Sequence, residues 1–296
     1  MSDRAVRPDT AARELDRLLN AVPAKLYEFA VFDGRMTRRT WRGRQAMQAL
    51  GWLRRRNGAG AHVYFRPATT ACVLVDDLDA EALAAVAADG LRAAAVVETS
   101  PGNHQAWFRV GRELGPKLGT CAGQVLAARY GGDPAWVDFR HLGRAAGFAN
   151  RKAKHRDGNG DYPFVVVVEA KGRVTPRAEE LVADAEARLQ AKEAKRAATA
   201  ARVARAGRAR SIRHDPQAFL AREVGALVRR DGAATDMSRA EAAACRRMAL
   251  AGFAQDEVAA ALAACPDVRR RKAGHVEDYA ARTAAWAFGG RVRRPR

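Results

Sequence analysis

The segment Val73-Leu74-Val75-Asp76-Asp77-Leu78-Asp79 ends an apolar run on adjacent carboxylates. Unpaired charge at the edge of a core is costly, so these acids need an explanation. Asp79 precedes the helical stretch DAEALAAVAADG and suits its N-cap. Asp76 and Asp77 fit two readings: solvated loop residues, or ligands of a hard divalent cation, which takes carboxylate oxygens. Successive strand residues point to opposite faces, so both reach one metal only where the strand bends.

The segment GGDPAWVDFRHLGRAAGFANRK offers further ligands. Asp133 precedes Pro134 at an expected helix start, Asp138 follows, and then come Arg140, His141, Arg144, Asn150, Arg151 and Lys152. Acids beside dense base suit a metal-bound triphosphate: carboxylates hold the cation while guanidinium forks and ammoniums grip phosphate oxygens. A set of surface salt bridges has the same composition, and the residues alone leave both readings open. A third element, ETSPGNHQAWFRV, reads as a tight hairpin; its His104, at a strand start, could also meet phosphate or a leaving pyrophosphate.

The elements that must hold these side chains follow from periodicity. ARELDRLLNAV has helical spacing, KLYEFAVFDG alternates as a strand, and RQAMQALGWLRRRNGAG reads as a helix with a glycine stop. Strands are expected at HVYFRPA, ACVLVDD, AAAVVETS, HQAWFRV and YPFVVVVEA, with a helix around KLGTCAGQVLAARYGG. This mixture predicts an α+β catalytic domain, residues 1–173, with a central mixed β-sheet flanked by helices. Thr175 as N-cap and Pro176 at the first helical position predict a long connecting helix to about Ala206, within a segment 174–213. Its end carries Arg202, Arg205, Arg208, Arg210 and Arg213 without one acid, a candidate phosphate-tracking stripe, and partly a helix end favoured by the macrodipole. Residues 214–296 lose strand character; about four amphipathic helices, one opened by the capping-box pattern Ser238-Arg-Ala-Glu241, predict an all-α bundle with a loose basic tail.

Of 296 residues, 52 are Lys or Arg and 33 Asp or Glu, a formal net charge of +19. Polyanions are the commonest partners of such an imbalance, which points to nucleic acid; no long apolar span, signal peptide or lipidation motif favours a membrane. Cys72, Cys121, Cys245 and Cys265 are far apart without CxxC spacing, so free thiols in a reducing cytoplasm are expected.

The ordered set VLVDDL, VVETSPGNHQAW, DPAWVDFRHLGRAAGFANRKAKH and GHVEDYAART resembles the RepB-type DNA primases of IncQ-like mobilisable plasmids, within the archaeo-eukaryotic primase superfamily. The likeness runs from about residue 20 to 288. It implies an RNA-recognition-like catalytic core, a long connecting helix, a C-terminal bundle, and primer synthesis on single-stranded DNA. By matching position the acids holding Mg²⁺ or Mn²⁺ would be Asp76, Asp77 and Asp133, and His104 fits the superfamily's histidine motif. Arg140, His141, Arg144, Asn150 and Lys152 fall in the segment that in related primases reads R-x-x-R-x-P-G-T-x-N-x-K and contacts the nucleotide. Here Ala146 and Phe148 stand where that pattern has Pro and Thr. Trp107, Trp136 and Phe148 are candidate stacking surfaces for template bases, with a core role as the plainer alternative.

The implied partners are nucleoside triphosphates, a single-stranded template, an origin hairpin and a plasmid-encoded replicative helicase; without a heptad seam, a monomer is expected. Two rivals keep the same residues: a non-catalytic initiator that binds DNA through its basic surface, and a metal-dependent nuclease. A relaxase has little support, since the six histidines are scattered and form no HxH pair.

Overall fold

The structure, a computed structural model, describes residues 8–132, 137–208 and 215–289. It divides into two compact units, residues 1–189 and 190–296.

In the first unit, helix α1 (Pro8–Ala21) is followed by strands β1 (Leu26–Phe32) and β2 (Met36–Arg42), a 3₁₀ turn and helix α2 (Leu50–Gly58). Next come β3 (His62–Pro67), β4 (Cys72–Leu78), α3 (Ala80–Ala88), β5 (Ala95–Ser100), β6 (Asn103–Arg109), α4 (Gly115–Arg129), β7 (Gly143–Arg144) and β8 (Val166–Ala170). The α+β class expected from sequence is what forms. The strands, however, make two four-stranded sheets, ordered β2-β1-β3-β7 and β4-β6-β5-β8, instead of one central mixed sheet. Every pairing between these strands is antiparallel, and two of the pairs are joined by tight turns: β1 and β2 at Gly34 (φ +97°), β5 and β6 at Gly102 (φ +74°).

Alternation along the strands builds two cores. Tyr27, Phe29, Val31, Val63 and Phe65 of the first sheet are buried with Leu74, Trp107 and Val97 of the second, and Phe65 meets Trp107 edge-on at 5.8 Å. The opposite parity of the second sheet, Val73, Val75, Val96 and Phe108, packs under Val86 of α3 and Leu126 of α4. The outward parity of the first sheet instead leaves Leu26, Phe32 and Met36 exposed.

Helix α5 runs from Ala178 to Arg208, so its start differs from the expected cap at Thr175. Arg177 adopts a left-handed backbone (φ +57°), which no helix can run through, and the buried Thr175 hydroxyl has no hydrogen-bond partner among the described residues. Arg177 is held there by Glu180 and by the carbonyl of Asp89, 2.6 Å from its guanidinium. The final strand also begins later than expected, at Val166.

The second unit contains α6 (Pro216–Asp231), α7 (Met237–Leu250), α8 (Gln255–Ala264), a short α9 (Pro266–Arg271) and α10 (Val276–Ala287). Leu220, Cys245, Met248, Phe253, Leu262, Ala280 and Ala284 form its core. Asp236, not Ser238, caps α7, accepting from the backbone N–H groups of Ser238 and Arg239. The capping box fails because Glu241 turns into the core, where Arg271 and the Tyr279 hydroxyl (2.5 Å) hold it. The four cysteines form no disulfide with one another, and no helix among the described residues is long and apolar enough to cross a membrane.

Candidate active site

The acids of VLVDDLD sit where β4 stops behaving as a regular strand. Its register against β6 shifts between Val75 and Leu78, and Leu78 rejoins the ladder opposite His104. At this bulge Asp77 takes φ +60°, a left-handed conformation that costs an ordinary residue about 1–2 kcal/mol. Strict alternation is broken, which is the bend two adjacent carboxylates need to serve one site. The backbone N–H of Asp77 donates to Asp76 Oδ1 (3.0 Å), and Asn103 Nδ2 donates to Asp77 Oδ1 (3.2 Å). Asp79 caps α3 by accepting from the N–H of Ala82, as its position implied.

Burial pushes the Asp76 carboxyl above the usual range, and the charge of Asp77 pushes it further. The Asp77 N–H, His141 and Lys152 pull it back, so those two side chains lie within electrostatic reach. Burial lowers the Arg144 guanidinium pKa, and the charges of Tyr64 and then Asp76 raise it, so Arg144 lies within the same electrostatic reach.

Arg144 is fixed from several directions. Its backbone is clamped by the amide of the buried Gln105: Nε2 donates to the Arg144 carbonyl (2.7 Å) and Oε1 accepts from the Arg144 N–H (2.7 Å). A methyl group at Gly143 would come within 2.8–3.1 Å of that amide, which explains the glycine. The guanidinium lies 4.8 Å from the Tyr64 ring centre, with Nη1 2.9 Å from Nδ1 of His62. Burial, then Arg144 and Lys152, lower the His62 pKa, and a neutral ring can accept from the guanidinium.

The loop after β7 crosses α1 so closely that Gly147 (φ +91°) has no room for a side chain: a Cβ would lie 2.6 Å from the Ala11 carbonyl oxygen. Asn150 is buried, its Nδ2 donating to the Thr99 carbonyl (2.7 Å) and its Oδ1 accepting from the Lys152 N–H (3.3 Å). Its side chain ties the loop to the end of β5 and thereby positions Lys152, which is exposed. Arg140 is exposed over the Phe139 ring, and His141 is half-buried. Asp138 organises that turn, accepting from the Arg140 N–H at 2.8 Å. His104 Nδ1 lies 3.3 Å from the Leu78 carbonyl, which ties its ring to the bulge.

Asp133 and Trp136 lie outside the described residues, but Gly132 closes on the bulge: a Cβ there would be 3.3 Å from the Asp76 carbonyl oxygen. Among the described residues no group of three His, Cys, Asp or Glu is placed to hold a metal; two of the three expected acids are described. Trp107 and Phe148 are 2% exposed and belong to the core, so neither is a stacking surface. Arg202 is exposed on α5, Arg205 and Arg208 fall in the same helix, and Arg210 and Arg213 lie outside the described residues. Sequence reasoning missed His62, Tyr64 and Gln105. The first two had a signal, alternate residues of HVYFRP that face away from the core; a glutamine in HQAWFRV had none.

Carboxylates suited to a hard cation thus lie within electrostatic reach of a guanidinium, a lysine and an imidazole suited to phosphates, and comparison with known proteins gives the family. Residues 24–196 match the RepB DNA-primase N-terminal domain and residues 235–287 the RepB DNA-primase C-terminal helical domain; the chain belongs to the RepB primase family. It is 35% identical over 294 residues to Mobilization protein A of Escherichia coli, covering 96% of this chain but 41% of that protein, so the chain spans less than half of that relative's length. It is 32% identical over 246 residues to a DNA primase of Acidithiobacillus ferrooxidans, covering 80% of this chain and 70% of that one. The crystal structure of primase RepB′ is similar at 33% identity and a TM-score of 0.60 over 94% of both chains. The catalytic domain of primase RepB′ in complex with initiator DNA is similar at 37% identity and a TM-score of 0.57, over 62% of this chain and 96% of that one.

Proposed function

We propose that this chain synthesises short primers on single-stranded DNA by template-directed nucleotidyl transfer, initiating replication of a plasmid or similar mobile element. The observation that carries the reading is the bulge at Asp76-Asp77, where Asp77 holds a left-handed backbone and Asp76 lies within electrostatic reach of Arg144, His141 and Lys152. Membership of the RepB primase family supports it.

Asp76 and Asp77, with Asp133 as the third acid expected from sequence, would hold Mg²⁺ or Mn²⁺. The donors are hard carboxylate oxygens, and burial holding the Asp76 pKa up marks a charge that a cation would compensate. When bound, the cation supplies Lewis-acid activation of the attacking 3′-hydroxyl and stabilises charge on the leaving pyrophosphate. Arg144, locked by Gln105, His62 and Tyr64, presents its fork to the triphosphate at little entropic cost. Lys152, His141 and the exposed Arg140 add charge to the same phosphates, Asn150 holds the Lys152 loop in place, and His104 stands beside the bulge for the leaving group. Arg202, Arg205, Arg208, Arg210 and Arg213 would track phosphates of the DNA, including a hairpin at the initiation site.

The test is primer synthesis on circular single-stranded DNA with labelled nucleotides and Mg²⁺ or Mn²⁺, comparing wild type with Asp77→Ala. Short products that fall by about 10²-fold or more in the variant are expected, since even outer-shell groups around a metal cost 10–100-fold. Bound template without product from the wild type would overturn the reading in favour of an initiator, and cut template in favour of a nuclease.

A further inference from the structure

The outward face of the first sheet is open at Leu26, Phe32 and Met36 and carries aromatic rings. Registers place its side chains in rows across the strands: Met36, Phe32 and His62; then Arg38, Ala30, Tyr64 and Arg144; then Thr40, Glu28 and Arg66. Phe32 stacks on His62 (6.3 Å, 20° between planes), His62 lies 6.3 Å from Tyr64, and Tyr64 lies under Arg144. The rings therefore form one continuous strip that ends at the guanidinium of the candidate active site. Positive charge borders it: the exposed Arg38 reaches Glu28 at 3.0 Å, and the mostly buried Arg66 holds the same acid at 2.7 Å, so two positive charges share one acid. Leu26, Phe32 and Met36, at 38–41% exposed, are three of the six large apolar side chains left exposed among the described residues, and all belong to this face.

An exposed apolar strip flanked by arginines suits a ligand that offers flat π-faces and a phosphate backbone together. We infer that the outward face of the β2-β1-β3-β7 sheet is the platform on which single-stranded template DNA lies as it approaches the active site, its bases stacking along Phe32, His62 and Tyr64 and its phosphates meeting the exposed Arg38. A folded protein partner would match the apolar residues and leave the arginines unanswered. Duplex DNA would match the arginines and leave the rings unused. The inference builds on the primer-synthesis reading, yet its main readout, oligonucleotide binding, does not depend on catalysis.

The experiment measures binding of a fluorescein-labelled single-stranded oligonucleotide to the full chain by anisotropy, without nucleotides, for wild type, Phe32→Ala and Phe32→Tyr. Phe32 is exposed and remote from the core, so the variants should fold, with circular dichroism as the check. A fall of about tenfold in affinity for Phe32→Ala, restored by Phe32→Tyr, is expected from the loss of one stacking surface. In parallel, photocrosslinking to 5-iododeoxyuridine in the oligonucleotide should map to Phe32, His62 or Tyr64. Unchanged affinity with crosslinks confined to other segments would overturn the platform. So would a raised KM for nucleotide with unchanged oligonucleotide affinity, which would assign the face to the incoming nucleotide. A fall in affinity supports the platform whatever Asp77→Ala does to synthesis, which keeps the two readings separable.

Discussion

Two carboxylates withdrawn from solvent, one in each unit, are handled in opposite ways. Glu241 of α7 is 1% exposed and fully answered within the chain, by Arg271 and by the Tyr279 hydroxyl. Asp76 is half-buried at a strained bulge, and the hydrogen bond it accepts among the described residues comes from the neighbouring backbone N–H; its cations stand off and do not pair with it directly. A buried charge that is already neutralised serves the fold, whereas one kept short of its partner is available to a ligand.

The largest expected effect tests that contrast. Glu241→Ala leaves Arg271 and Tyr279 facing a void, and stability of the bundle should fall by about 3–5 kcal/mol, the cost of breaking a buried pair from one side. Asp76→Asn should instead leave stability unchanged or raise it slightly in EDTA, because burial already disfavours the charged form. Peptide-resolved hydrogen exchange checks both: protection of α7 and α10 collapses in the first variant, and β4 is as protected as before in the second. Loss of β4 protection in Asp76→Asn would show that Asp76 is structural, and the contrast would be gone.

A smaller effect tests whether the site's cations are as rigid as its acids are strained. Gly143→Ala forces a methyl within 2.8–3.1 Å of the Gln105 amide, so the clamp on Arg144 must give way. A destabilisation of about 1–3 kcal/mol is expected from such overpacking, together with a raised KM for nucleotide. Gly58→Ala is the control: a side chain there meets open space, and the change should be neutral or mildly stabilising. Equal behaviour of the two variants in urea unfolding and in nucleotide KM would mean that Gln105 moves aside freely.

Much of this organisation was legible from residue types alone. The α+β class, the strand ending in acids, the 95–109 hairpin and the helical character after residue 214 all follow from local patterns. Strand β2 was missed because MTRRTWR is an edge strand with one face in solvent, where arginines cost nothing and blur the alternation. The start of α5 was misplaced because Thr-Pro is a good helix opening, while the left-handed Arg177 depends on Asp89, 88 residues away. The site divided in the same way. Asp76 and Asp77 are neighbours in sequence and could be read together. The partners of Arg144 could not be, since Gln105 reaches it from the other sheet and His62 through the pairing of β3 with β7, 39 and 82 residues away.

The smallest effect returns to Glu241 through its hydroxyl partner. Burial, then the hydrogen bond and charge of Glu241, push the Tyr279 pKa from 10.0 up to about 12. A raised pKa means that the folded bundle keeps this proton after the unfolded chain has lost it. Tyr279 therefore contributes its full stability below pH 10 and loses that contribution as the pH rises to about 12. Tyr279→Phe removes the hydrogen bond and should cost about 1 kcal/mol at neutral pH. The gap between wild-type and variant Tm should then close between pH 10 and 12. Burial also pushes Cys245 to about 12, but that thiol is present in both proteins and cancels from the difference. The absence of a gap at neutral pH would mean that the hydrogen bond from Tyr279 to Glu241 carries no stability, and that Arg271 alone answers the buried acid. In that case Glu241 would resemble Asp76 more closely than the geometry implies, and the number of internal partners would no longer separate a structural carboxylate from one held for a ligand.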